Sequence, residues 1–147
     1  MKEIICTAVG MAGAAIAAAF GGWSASLGTL MICMAADYLT GLIVAGVFKA
    51  STKTPGGGLE SKVGWKGLCR KAVILMFILL AHRLDMAVGT TYIRDAVTIG
   101  FITNELISLI ENAGIMGVPL PESLKKALEV LKDMEDSSDE NNRKTLP

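Results

Sequence analysis

The sequence predicts an all-α membrane protein of four transmembrane helices, set as two hairpins joined by a basic cytosolic loop and followed by a short C-terminal amphipathic helix. Three observations carry that expectation. Hydrophobic residues make up 52% of the 147 and mean hydropathy is +0.50, well above the norm for a soluble domain. The apolar residues gather into segments of about 4–22, 25–48, 72–91 and 93–116, near the ~20 residues a helix needs to cross a bilayer. The stretch Lys49–Lys71 between the second and third holds Lys49, Lys53, Lys62, Lys66, Arg70 and Lys71 against one acid, Glu60. Lys and Arg beside span ends resist translocation, so this loop stays in the cytosol and parity returns both chain ends there. Residues 1–118 then form the transmembrane domain and 119–147 a cytosolic helix and tail. Three spans, with one segment lying at the interface, is the alternative.

The first segment is rich in small residues, from Ala8 to Ala19. Gly10, Ala14 and Ala18 recur one turn apart and form a ridge that lets another helix approach closely, and Gly41 offers the same in segment two. Ala15-Ile16-Ala17 resembles a signal-peptide cleavage site, but the longer apolar segment that follows favours retention as a membrane helix. Gly21-Gly22-Trp23 ends the segment, with an indole suited to the membrane boundary. Segment two, Ala25–Phe48, contains a single charge, Asp37.

Segment three runs from Ala72 through His82, Arg83 and Asp85 to a turn at Gly89-Thr90-Thr91-Tyr92. Segment four is two-sided: Ile102, Leu106, Leu109, Ile110 and Ala113 fall on one face, and Asn104, Glu105, Ser108, Glu111 and Asn112 on the other. This polar arc is expected to face a pore, with an interfacial helix as the alternative. Gly117-Val118-Pro119-Leu120-Pro121 stops the segment. Glu122–Glu135 then reads as an amphipathic helix with Leu124, Leu128 and Leu131 on one stripe, and 136–147 as a polar, disordered tail.

Depth counted from the basic loop brings polar groups together. Asp37 lies eleven residues before Phe48 and Arg83 eleven after Ala72, so both are about 17 Å from the cytosolic surface at 1.5 Å per residue. Asp85 and Glu105, with Asn104, fall in the same mid-membrane layer. A lone charge there costs roughly 2.5–3.5 kcal/mol, so Asp37 and Asp85 are expected to compete for Arg83. The acid left over either carries its proton or is reached by water in an assembly.

Balanced charge, 14 basic and 14 acidic residues, gives no footprint for nucleic acid. Cys6, Cys33 and Cys69 have no metal-ligand spacing and read as free thiols. Gly56-Gly57-Gly58 lacks the lysine and hydroxyl of a phosphate loop. With no nucleophile–base constellation either, neither an enzyme nor a cofactor or metal is expected.

Asp37-Tyr38-Leu39-Thr40-Gly41, Leu59-Glu60-Ser61-Lys62-Val63-Gly64-Trp65-Lys66-Gly67 with Arg70-Lys71, then Asp85, Asn104-Glu105-x-x-Ser108-x-x-Glu111-Asn112 and Gly117-Val118-Pro119-Leu120-Pro121 follow in an order and spacing that is specific as a set. Over about Trp23–Leu131 the chain resembles the phage holin family that includes the clostridial toxin-secretion holins. The resemblance implies a protein of the bacterial inner membrane that homo-oligomerises and opens holes at a timed moment, letting an endolysin or a toxin out. Its contacts would be membrane lipid, with the basic cluster against anionic headgroups, and other copies of itself. A small ion or proton transporter built on the mid-membrane charges is the alternative.

Overall fold

A spacing that alternates between three and four residues runs through three consecutive helices and organises the molecule. A computed structural model describes residues 1–126, 129 and 130 of the chain. Its helices are α1 (Lys2–Ala19), α2 (Ala25–Ile43, continued by a π-helical turn, Val44–Phe48), α3 (Ser61–Val88) and α4 (Ile93–Ile115). Residues 122–126, 129 and 130 are helical as well, and no strand occurs among the described residues. The rest of the amphipathic helix expected over 122–135, including Leu128 and Leu131, and the tail 136–147 lie outside the described residues.

On α2 the inward positions are Leu27, Leu30, Met34, Asp37, Gly41 and Val44; on α3 they are Gly64, Gly67, Lys71, Ile74, Ile78, Ala81 and Asp85. On α4 Thr98, Glu105 and Asn112 repeat every seven residues and are all buried. A 3–4 repeat keeps one stripe of an α-helix facing its neighbours along the whole contact, the geometry of left-handed bundles. The three helices therefore form one antiparallel bundle. Its apolar centre is Leu27, Leu30, Met34, Ile74 and Ile78, with Phe20, Leu75, Val97, Phe101 and Ile102 packed around it. Phe77 and Phe101 add a tilted ring pair with centroids 6.3 Å apart.

Two features differ from the sequence expectation. Helix α3 begins at Ser61, not Ala72, so Lys62, Lys66, Arg70 and Lys71 belong to its first three turns and the connecting loop shrinks to 49–60. Hydropathy marks where lipid contact becomes favourable, whereas Lys and Arg are good helix formers and leave the backbone free to continue. The short loop is folded on itself: Ser51 N–H donates to Gly57 O at 2.9 Å, and Thr54 Oγ1 donates to Gly58 O at 2.9 Å. Gly57 has φ +67, and a Cβ there would collide with the Lys49 carbonyl oxygen, so only glycine closes this turn.

The second difference concerns α1. None of its residues is buried, and no heavy atom lies within 4 Å of a Cβ placed on Gly10. The Gly10–Ala14–Ala18 ridge, expected to receive another helix, has no partner helix among the described residues. The larger apolar side chains of α1, Ile4, Ile5, Val9, Met11 and Ile16, are all exposed. Its attachment is at one end, where Phe20 packs on the apolar centre and Arg94 Nη1 donates to the carbonyls of Phe20 and Gly21, each at 3.0 Å. Gly21, with φ +80, leaves the space that the His82 ring and the Arg94 guanidinium occupy.

Candidate functional site

Asp37, Lys71, Glu105 and Asn112 occupy inward positions of α2, α3 and α4 at one level of the bundle. Lys71 Nζ lies 2.9 Å from Asp37 Oδ2 and 2.5 Å from Glu105 Oε2. Asn112 Nδ2 donates to Thr40 Oγ1 at 3.0 Å and to Asp37 Oδ1 at 3.3 Å. Thr40 Oγ1 in turn donates to the Asp37 carbonyl at 3.0 Å. Glu105 is 3% exposed and Asp37 9%, so the cluster is interior to the chain. Among the described residues no buried side-chain nitrogen or oxygen lacks a hydrogen-bond partner. Two carboxylates share one ammonium, so with all three groups ionised the cluster carries a net negative charge.

A cavity of about 100 Å³ opens beside this cluster and reaches the loop. Its wall includes Asp37, Lys71, Asn104, Glu105, Ser108 and Asn112 from the helices, with Ser51, Lys53 and Thr54 from the loop. A space of that size with several polar partners accommodates a few water molecules. The polar arc of α4 is thus divided. Glu105 and Asn112 point into the bundle, Ser108 and Asn104 border the cavity, and Glu111 is half-buried.

The expected Asp37–Arg83 contact does not form. Arg83 is exposed and its Nη1 lies 3.9 Å from Met86 Sδ on the outer face of α3. Depth measured from Ala72 misplaced the residue, because α3 starts eleven positions earlier. Lys71 is ten residues into α3, level with Asp37, and Arg83 is about 18 Å farther toward the opposite end.

Asp85 also belongs to that far end and does not compete for the same cation. It accepts from Ile93 N–H at 3.0 Å, Arg94 N–H at 2.8 Å and Thr90 Oγ1 at 2.6 Å. A carboxylate on the free amides of a first turn caps the helix, and here the last turn of α3 caps α4. Arg94, which the sequence reading passed over, adds contacts to Asp95 Oδ1 at 3.0 and 3.2 Å while it holds the end of α1.

Two glycines of α3 face Tyr38 of α2, with room for no more than a methyl group. A Cβ on Gly64 would stand 3.5 Å from Tyr38 Oη, and one on Gly67 3.8 Å from Tyr38 Cε2. Gly41 faces Asn112 in the same way, at 3.9 Å from Nδ2. Lys49, Lys53, Lys62, Lys66 and Arg70 are exposed around the loop end. Helix α1 and the α2 segment Ala25–Phe48 are each long and apolar enough to cross a membrane.

Comparison with known proteins adds the context. A model of the bacteriophage holin family matches residues 14–133. An uncharacterised protein of Halalkalibacterium halodurans is 36% identical over 138 residues, covering 90% of this chain and 96% of its own. An uncharacterised 14.9 kDa protein of Clostridium perfringens is 38% identical over 116 residues, 78% of this chain and 82% of its own. A protein of Bacillus phage phi105 named a probable holin is 27% identical over 115 residues, 78% of this chain and 79% of its own. No solved structure matches the chain.

Proposed function

Because this chain belongs to the bacteriophage holin family, we propose that it acts as a holin, assembling in the bacterial inner membrane into holes that release an endolysin or a toxin at a timed point. In this reading all four helices span, the loop 49–60 and both chain ends are cytosolic, and α1 supplies its free Gly10–Ala14–Ala18 ridge to other copies. The proposed action requires no catalytic group.

The observation that carries the mechanism is the polar seam. Asp37, Lys71, Glu105 and Asn112 satisfy one another only while α2, α3 and α4 stay together. In a single copy the seam is closed and its cost in lipid is contained. When helices of several copies part and re-associate, the same residues, with Ser108 and Asn104, become the wetted lining of a hole.

The test is labelling of an Asn112→Cys variant, with Cys6, Cys33 and Cys69 replaced by serine, by a membrane-impermeant maleimide before and after lysis begins, with a cytosolic reporter enzyme assayed in parallel. Position 112 should be protected before lysis and labelled as the enzyme escapes. Escape of the enzyme with position 112 still protected would remove the lining assignment. A second reading, a small ion or proton channel, draws support from the cavity beside the charged cluster. It requires ion flux with the reporter enzyme retained.

A further inference from the structure

The outer face of α3 near the loop carries a stripe of cations that form no ion pair among the described residues. Lys62, Lys66 and Arg70 recur every four residues and are all exposed; Lys62 and Lys66 do not line the cavity beside the Gly64–Gly67–Lys71 seam, and Arg70 also borders it. They rise about 12 Å along the helix, and helical side chains lean toward the N-terminus, here the loop end. Lys49 and Lys53 extend the positive field over the loop, where Glu60 is the one acid.

The antiparallel order places the end of α4 at this same end of the bundle. Gly117–Pro121 leads out beside the loop, with Leu120 packed on Gly114. Beyond Val130, outside the described residues, the sequence reads Asp133, Glu135, Asp136, Asp139 and Glu140, five acids within eight positions. Twelve residues separate Pro121 from Asp133, about 18 Å even at helical rise, against 8–10 Å between neighbouring helix axes. Tethering at that distance gives the acidic segment a local concentration on the order of millimolar at the stripe.

We propose that the acidic segment 133–140 docks on the Lys62–Lys66–Arg70 face of α3 in the same chain. The face is an interaction surface for an acidic peptide, and the chain supplies its own. The stripe is neutralised while the segment is bound and exposed when it leaves.

Cys69 lies on this face, exposed, one residue before Arg70, whereas Cys33 is buried. The full chain carrying Cys6→Ser and Ser138→Cys, reconstituted in phosphatidylcholine vesicles and in vesicles containing phosphatidylglycerol, tests the docking by thiol cross-linking. A within-chain link from Cys69 to position 138 is expected in both lipids. Its yield should fall severalfold between about 0.1 M and 1 M salt, over which the screening length drops from about 10 to about 3 Å. Lys62→Glu with Lys66→Glu should reduce it equally, and adding Asp136→Lys with Asp139→Lys should restore it. Three results would each overturn the proposal. These are a yield indifferent to salt and charge reversal, links only between chains, or loss of the link in phosphatidylglycerol vesicles, where lipid headgroups would then own the stripe. The salt series uses unaltered charges on α3, so a misfolded reversal variant does not blunt the test.

Discussion

Lys71 and Asp37, thirty-four residues apart in the sequence, meet at 2.9 Å inside the bundle, and the same ammonium also serves Glu105. One cation on α3 is thus the shared counter-ion of a carboxylate on α2 and another on α4. Removing one partner of a buried pair costs about 3–5 kcal/mol, because the remaining charge is left uncompensated. Lys71→Ala should therefore lower the thermal unfolding midpoint of the detergent-solubilised protein sharply. The exchange Asp37→Lys with Lys71→Asp should recover part of what each single change loses. No recovery would show that the two residues do not act as a pair.

Gly64 gives a prediction of opposite signs at one position. Its Cβ space of 3.5 Å to Tyr38 Oη is ordinary contact, so alanine fits. Gly64→Ala should stabilise α3 by about 1 kcal/mol through helix propensity. Gly64→Leu should cost roughly 1–3 kcal/mol by forcing α2 and α3 apart. Denaturation midpoints of the two variants on either side of the parent would bear this out, and equal shifts would not.

Arg94→Met removes the donors to Phe20 and Gly21 while keeping an unbranched side chain. Proteolysis should then cut the 20–24 connection faster. Exchange of amides deep in α2, such as Leu30, should change little, since the apolar centre is not touched.

Asp85→Ala takes away the acceptor for the Ile93 and Arg94 amides. Their hydrogen exchange should accelerate by roughly tenfold, the scale of a lost N-cap, and the effect should fade along α4. Uniform acceleration through α4 would instead mean that Asp85 holds the whole hairpin together.

Much of this architecture is legible in the sequence, and the errors share a cause. Helix α4 was readable because its polar and apolar residues separate into two faces, and the α3–α4 turn because Gly89 breaks the period. Hydropathy placed the start of α3 at Ala72 because it counts Lys62, Lys66, Arg70 and Lys71 as interruptions. A search by period would have joined Gly64, Gly67 and Lys71 to Ile74, Ile78, Ala81 and Asp85 as one 3–4 stripe, and so set Lys71 inside the bundle. Arg94 had no such signal, since its partners are backbone carbonyls 73 and 74 residues away. Polar residues at seam positions also fix register: sliding α3 by one turn against α2 would strand Asp37 among apolar side chains.

Helix α1 has no buried residue and is joined to the remainder only at its end, by Phe20 against the apolar centre and by one guanidinium. Among the described residues α1 accordingly stands outside the three-helix bundle. The α2–α4 bundle holds most of its own core and its own polar bonds, and α1 touches that core only through Phe20 at its end. A displacement of α1 that leaves Phe20 and the Arg94 contacts in place would break no contact inside the bundle.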